Sequence, residues 1–381
     1  MASNRENWVD IAKGFAIIAV VLGHIDFLYP DIKLLPISEL TAWLWHVPVF
    51  FMIGGFFLSE DKLAKTGQFV KGKLLKLYLP ILYIYIPAVL LHNFFFDIGF
   101  YSETVEYGGK YVTYWDLKDF AVNVLKTVFL AGREPVMGAM WFAYVLFMAL
   151  CMMSILYWIC DKISSKTQPT SENKSIKLFA ILLLAGSVAG SILTNVFGFT
   201  IPRCNNVFTA AWLIFVGMLL RQKLNFKFDN TFVFVVALIL FYSFAVLRGK
   251  VSLNHNDFDD IASLTLSTVS ALYVICYISR KLKGRIATAL SWVGRDSFWI
   301  MGLHFLSFKG LAVLLNCFGF EHNPALLTPD CGGNLLLLFY YLAGGVLLPL
   351  ICVWIFRKVK SSFTKHTFNE HKNPDSRPQE K

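Results

Sequence analysis

Trp8-Val9-Asp10-Ile11-Ala12-Lys13-Gly14-Phe15-Ala16-Ile17-Ile18-Ala19-Val20-Val21-Leu22-Gly23-His24-Ile25-Asp26-Phe27-Leu28 decides how the rest of the chain is read. A bilayer-crossing helix takes roughly 20 apolar residues, and this stretch has that length. It also carries Asp10, Lys13 and His24, and no small-residue cleavage site follows it. Those features argue against a cleavable signal peptide and for a retained membrane helix.

The composition agrees with that start. Of the 381 residues, 56% are apolar and 16% charged, with 36 Phe, 15 Tyr and 10 Trp. A soluble domain carries about a quarter charged residues. Lipid makes the excess of apolar surface tolerable, because apolar side chains can then face outward. The expected fold is all-α, a polytopic transmembrane bundle. Ten spans are read: Trp8–Leu28, Thr41–Leu58, Leu74–Phe96, Met137–Cys160, Ile176–Val196, Val207–Leu220, Thr231–Leu247, Ile261–Ile278, Ala289–Leu311 and Asn334–Phe356. Leu117–Ala131 is amphipathic and is expected to lie along the membrane surface.

Basic residues orient the bundle. With the N-terminus inside, 24 Lys and Arg fall on the inner side and eight on the outer; Lys13, Arg295 and Lys309 lie within spans. This positive-inside bias places both termini in the cytoplasm. It also accounts for the formal net charge of +10 without nucleic acid. Residues 1–358 form one membrane-embedded domain, and 359–381 are a polar tail expected to be disordered. The seven cysteines show no metal-site spacing, and no metal is expected. Cys317 and Cys331 flank one outside loop, where an oxidising compartment could pair them.

Ionisable side chains inside a bilayer are costly and point to function. At about 100° per residue, Lys13 and His24 are offset by roughly 20°, and Asp10 lies on the same face. The rise puts Lys13 and His24 roughly 16 Å apart along the axis. A cation at the cytoplasmic end can hold phosphate, and a neutral imidazole deeper in can take a proton from a hydroxyl. Coenzyme A matches that separation, with an anionic nucleotide at one end and a thioester on a long arm. The arm would thread a channel from inside while a hydroxyl acceptor comes from outside. The plainer reading is that His24 packs on a carbonyl and Lys13 snorkels to the surface.

The same residues carry a resemblance. Lys13, ten intervening positions and His24 resemble the first-helix signature of the acyltransferase family 3 membrane proteins. His46-Val47-Pro48-Val49-Phe50-Phe51-Met52-Ile53-Gly54-Gly55-Phe56-Phe57 is similar to the family's second-span segment. Lys71-Gly72-Lys73-Leu74-Leu75-Lys76-Leu77-Tyr78-Leu79-Pro80 is similar to its Arg-rich entry into the third helix, with lysine in place of arginine. Met140-Trp141-Phe142, and Gly294-Arg295-Asp296-Ser297-Phe298 with Ile300 and His304, match weaker later signatures. The closest flavour is the fucose 4-O-acetylase-like sugar acetyltransferases. The resemblance implies transfer of acetyl or another short acyl group from acyl-CoA to a hydroxyl of a cell-envelope glycan or lipid-linked sugar, in the bacterial cytoplasmic membrane. It implies acyl-CoA as co-substrate and no permanently bound cofactor.

On this reading His24 is the general base, and Asp10, Lys13, Lys73 and Lys76 bind acyl-CoA. His46, Trp141, Ser297 and His304 bind or orient the acceptor. Each has a bland alternative. His46 and Trp141 suit an interfacial belt, His304 suits packing, and Lys73 and Lys76 suit topology alone. Arg295 and Asp296 are expected to pair locally, Gly54-Gly55 to mark a close helix contact, and His92 carries no reading. The competing function is a transporter or flippase for a lipid-linked sugar, though no repeated halves are visible.

Overall fold

A computed structural model of the chain describes residues 7–30, 32, 34–107, 109–167, 173–199, 205–249 and 251–372. The described residues are helical, with isolated β-bridges in the loops and no strand. The long helices are α1 (Asn7–Gly23), α2 (His46–Gly55), α3 (Thr66–Leu90), α4 (Leu117–Val128), α5 (Trp141–Thr167) and α6 (Asn173–Asn195). They continue as α7 (Asn205–Met218), α8 (Thr231–Arg248), α9 (Ile261–Lys281), α10 (Gly284–Arg295), α11 (Ser297–Cys317) and α12 (Leu335–Lys372). Among the described residues, seven helices are long and apolar enough to cross a membrane: α3, α5, α6, α8, α9, α11 and α12.

The other three expected spans are the inner ones. α1 has 17 residues, α2 ten and α7 14. α1 packs against α2, α9, α10, α11 and α12, and α7 against α2, α5 and α6. Ala12, Ala16, Ile17, Val20 and Val21 of α1 are all at most 1% exposed. Helices wrapped by others need not match the full hydrocarbon thickness themselves.

Glycine sets two of these contacts. A Cβ on Gly294 would lie 1.8 Å from the Asp10 carbonyl oxygen, and one on Gly14 2.3 Å from that of Leu290. The α1 and α10 backbones therefore touch. Gly55 and Gly217 do the same for α2 and α7, each with a carbonyl oxygen 2.0 Å from the missing Cβ. Of the expected Gly54-Gly55 contact, Gly55 makes it; a Cβ at Gly54 would meet only Leu146, at 3.8 Å.

Four expectations change. The ninth span, Ala289–Leu311, is two helices broken at Asp296, which has φ −101° and ψ 15°. Ion pairs to two other helices flank the break: Arg295 reaches Asp10 of α1 at 3.8 Å, while Asp296 takes two bonds from Arg357 of α12, at 2.5 and 3.0 Å. Arg295 and Asp296 thus serve different helices and do not pair with each other. The third span starts earlier, at Thr66, and ends at Leu90; His92–Asp97 is a separate short helix. It contains a π-turn at Leu74–Tyr78, just before Pro80, which has no N–H to return to Lys76. Cys317 and Cys331 are free thiols, one exposed and one buried; Cys204 lies outside the described residues.

α4 is capped by Asp116, which accepts from the Asp119 N–H at 2.8 Å, and it exposes Leu117, Val122 and Leu125. α12 continues into the polar stretch as far as Lys372. Residues 373–381 of the expected tail lie outside the described ones.

Candidate active site

Three histidines meet at one end of the bundle. The His24 ring lies 5.1 Å from the His304 ring and 4.8 Å from Phe305, edge-on. A Cβ on Gly23 would come within 3.9 Å of the His46 ring, so α1 and α2 bring that imidazole alongside. Each ring is fixed in the same way. Nδ1 of His24 lies 2.8 Å from the Val20 carbonyl, that of His46 2.7 Å from Ala42, and that of His304 2.9 Å from Ile300. A carbonyl oxygen can only accept, so Nδ1 carries the proton in each neutral ring. Nε2 is left with its lone pair.

The three differ in access. His24 is half-buried and lines a cavity of about 680 Å³. Asp26, Phe27, Tyr29, Glu39, Trp43 and Thr328 also line it. Aromatic faces and carboxylates together can grip a polyhydroxylated molecule, by stacking on its C–H face and accepting from its hydroxyls. His304 is 0% and His46 5% exposed, and neither lines this cavity. His46 sits behind it, edge-on to Trp43 at 5.7 Å. Trp141 packs into the core and is not on the cavity wall. Ser297 opens α11, seven residues and roughly 10 Å of helix from His304, at the other end of the bundle.

At that other end a second cavity, of about 530 Å³, is lined by Lys62, Lys65, Lys73, Lys76, Gln68 and Phe69. The π-turn of α3 presents Lys76 here, and Lys73 lies over the Phe69 ring at 4.9 Å. Lys13 joins its edge: its ammonium is 5.2 Å from the ring of Phe57, another wall residue, and 3.8 Å from the buried Asp10 carboxylate. Four lysines around one hollow suit a polyanion, each acting as a point charge. Lys62 and Lys65 were not singled out from sequence, where they read only as topology markers.

The two cavities share no wall residue. On the α1 stripe between Lys13 and His24, Ile17 is 0% and Val20 1% exposed. The channel expected along this stripe is closed here by apolar packing.

Near the histidines lies a buried polar network that sequence did not reveal. Glu134 accepts from the Tyr101 hydroxyl and faces His92 Nδ1 at 2.9 Å. His92 Nε2 donates to the Thr113 carbonyl at 3.1 Å, and its ring stacks on Trp115 at 3.4 Å. Burial pushes the Glu134 carboxyl above the usual carboxylate range, against the pull of His92 and Tyr101. The Lys309 ammonium, 1% exposed, shares its three N–H groups among the carbonyls of Phe100, Pro324, Ala325 and Leu326, which lie 2.6 to 3.3 Å away. It ties the 97–116 loop to the 319–334 loop. The second of these bridges to Asp26, beside His24, and supplies Thr328 to the cavity.

The model of acyltransferase family 3, described as an acyltransferase domain, matches residues 6–357. The chain belongs to that family. Family and apolar helices together make it a multi-pass membrane protein with an acyltransferase domain. It is also similar to an uncharacterised protein of Rickettsia prowazekii (strain Madrid E), 27% identical over 148 residues. That match covers 34% of this chain and 57% of the relative, so the chain spans little more than half of that protein's length. No solved structure matches.

Proposed function

We propose that the protein is an acyl-CoA-dependent O-acyltransferase, moving acetyl or another short acyl group to a hydroxyl of a cell-envelope glycan or lipid-linked sugar. The observation that carries this is the state of His24. Its Nδ1–H is committed to Val20, so the basic Nε2 belongs to a half-buried ring on the wall of a cavity rich in aromatics and carboxylates. Such a base contributes about 10²–10⁴ in rate.

The lysine-lined hollow, with Lys73, Lys76 and Lys13 supported by Asp10, is the site for the nucleotide phosphates of the donor. The thioester arm reaches His24 once the Ile17–Val20 stripe gives way. The acceptor hydroxyl enters from the histidine end, with Trp43, Asp26 and Glu39 holding the sugar and His46 bracing Trp43. In this reading α1, the Glu39–Gly55 segment and α7 complete ten spans, both termini are cytoplasmic, and the bilayer is the bacterial cytoplasmic membrane. His24 then lies in its outer half.

In the step itself His24 Nε2 removes the hydroxyl proton as the oxygen bonds to the thioester carbon. The C–S bond breaks, and the departing thiolate takes the proton back. The test uses purified protein, labelled acetyl-CoA and extracted envelope glycans. His24→Ala, shown to be folded, should lose transfer by about 10²-fold or more; transfer at the parent rate would remove the base assignment.

A further inference from the structure

Arg295 holds its guanidinium partly in the open at the lysine end of the bundle. The side chain is 53% exposed, yet it is anchored at its root. α10 ends at this residue, and the preceding Gly294 touches the Asp10 backbone of α1. Nε lies 3.8 Å from one Asp10 carboxylate oxygen, and Nη2 donates to the Ser291 hydroxyl at 3.3 Å. Ser291 is itself buried and donates to Asn7 at 2.5 Å. An arginine carries five N–H donors in a planar fork. Its remaining edge, Nη1, has no partner among the described residues.

Three other arginines at this end are committed elsewhere. Arg357 spends both terminal nitrogens on the Asp296 carboxylate, at 2.5 and 3.0 Å. Arg221 and Arg280 lean on the Trp8 ring, at 5.7 and 5.6 Å. Arg295 also differs in its company. Asp10 is 3% exposed, and its second carboxylate oxygen lies 3.8 Å from the Lys13 ammonium. Lys13 stands at the edge of the lysine-lined hollow, over Phe57. One buried carboxylate therefore ties the arginine fork to the rim of that hollow.

The lysines of the hollow are point charges with no preferred plane. A guanidinium binds phosphate through two parallel N–H bonds, and so selects geometry as well as charge. Coenzyme A carries phosphate at two separate places on its nucleotide, more than one basic hollow need hold. We infer that Arg295 is a further donor-binding residue, its outward edge gripping a phosphate of the acyl-CoA nucleotide while the lysines of the hollow hold the rest. This rests on the acyl-transfer reading above. Arg295 grips the handle of the donor and takes no part in the acyl step; Asp10 and Ser291 position it.

The experiment uses the full chain in detergent and two labelled donors: acetyl-CoA, and S-acetylpantetheine, which has the same thioester arm and no nucleotide. Transfer to extracted envelope glycans is followed with each. Arg295→Gln should lower kcat/KM for acetyl-CoA about tenfold or more, through KM, and leave that for S-acetylpantetheine within about twofold. Arg295→Lys keeps a charge beside Asp10 but not the fork; it should melt like the parent and still lose about threefold or more with acetyl-CoA alone. It decides the matter if Arg295→Gln does not fold. An equal fall with both donors marks a merely structural role and overturns the inference, as does no fall with either. If the parent does not accept S-acetylpantetheine, the phospho-ADP half of coenzyme A serves as inhibitor instead. Its inhibition constant against acetyl-CoA should rise about tenfold in the variant, and an unchanged constant overturns the inference. A parent that transfers from neither donor removes the acyl-transfer reading and this inference with it. Where the parent uses acetyl-CoA and the variant matches it, only this inference fails.

Discussion

The rings of His24 and His304, 280 positions apart in the chain, lie 5.1 Å from one another, each donating Nδ1–H to a carbonyl one turn earlier. Two helices thus deliver two imidazoles in the same protonation pattern to one spot. α1 supplies the ring that lines the cavity, and α11 supplies one sealed behind it.

The close contact of α1 with α10 holds that spot in register. Gly294→Ala places a methyl 1.8 Å from the Asp10 carbonyl, which no side-chain rotation relieves. The helices must separate, taking Asp10 from Arg295 and shifting α1. The expected cost exceeds the ~1–3 kcal/mol of ordinary overpacking. A thermal melt in detergent checks it. Gly54→Ala, with 3.8 Å to its nearest atom, is the control and should melt like the parent.

Much of this was legible in the chain because the bilayer imposes a length and an apolar content on each span. His24 and Lys13 stood out because charge inside such a span is expensive. The break at Asp296 was not legible, since the partner of its carboxylate is Arg357, 61 residues on. Nor was the Glu134 network, whose partners His92 and Tyr101 lie 42 and 33 residues away. Lys309 did give a signal, as an ionisable residue inside a span, but its carbonyl partners belong to loops with no pattern to read. The pairing of His24 with His304 depends on how α1 meets α11, which no local spacing encodes.

Lys309 gives the next expectation. Replacing it with Met leaves four loop carbonyls without their cation, at a cost of about 2–4 kcal/mol from lost charge-assisted bonds. The 97–116 and 319–334 loops should come apart together. Limited proteolysis would then cut both sooner, while the melting of the remaining bundle shifts less. Cleavage of one loop alone would mean the lysine does not couple them.

Glu134 makes the same region sensitive to pH. Burial raises its carboxyl above the unfolded value, so the protonated form is favoured by folding. Its contribution is fully present below the unfolded carboxylate pKa, near 4.3, and is lost as pH rises through the folded pKa. Hydrogen exchange at 97–116 should therefore quicken as pH rises through that window, after correction for intrinsic rates. His92, Tyr101 and Lys309 face the same carboxyl. Glu134→Gln, neutral throughout, should abolish the dependence; an unchanged profile would assign it to another group.

The lysine-lined hollow predicts a donor effect. Lys73→Ala with Lys76→Ala should raise KM for acetyl-CoA by about three- to tenfold, since each exposed charge pair is worth ~0.2–1 kcal/mol. The effect should shrink as salt rises. kcat at saturation should hold within about twofold, because neither lysine lies near His24 and the rate given by the base is untouched. A fall in kcat with KM unchanged would place these lysines elsewhere in the mechanism.

Orientation of the bundle can be read from its own thiols. Cys317 ends α11 and is exposed, while Cys331, in the loop bridged to Asp26, is 4% exposed. If the histidine end faces outward, a membrane-impermeant maleimide added to intact cells should label Cys317 in a chain carrying Cys204→Ser, and adding Cys317→Ser should abolish that label. Cys331 should react only after denaturation. Gln68→Cys, on the wall of the lysine hollow, should stay unlabelled until the membrane is opened. The reverse pattern would turn the bundle over and put the lysines outside, where no acyl-CoA could reach them; the donor assignment would fall with the topology, because a coenzyme A thioester is made and held in the cytoplasm.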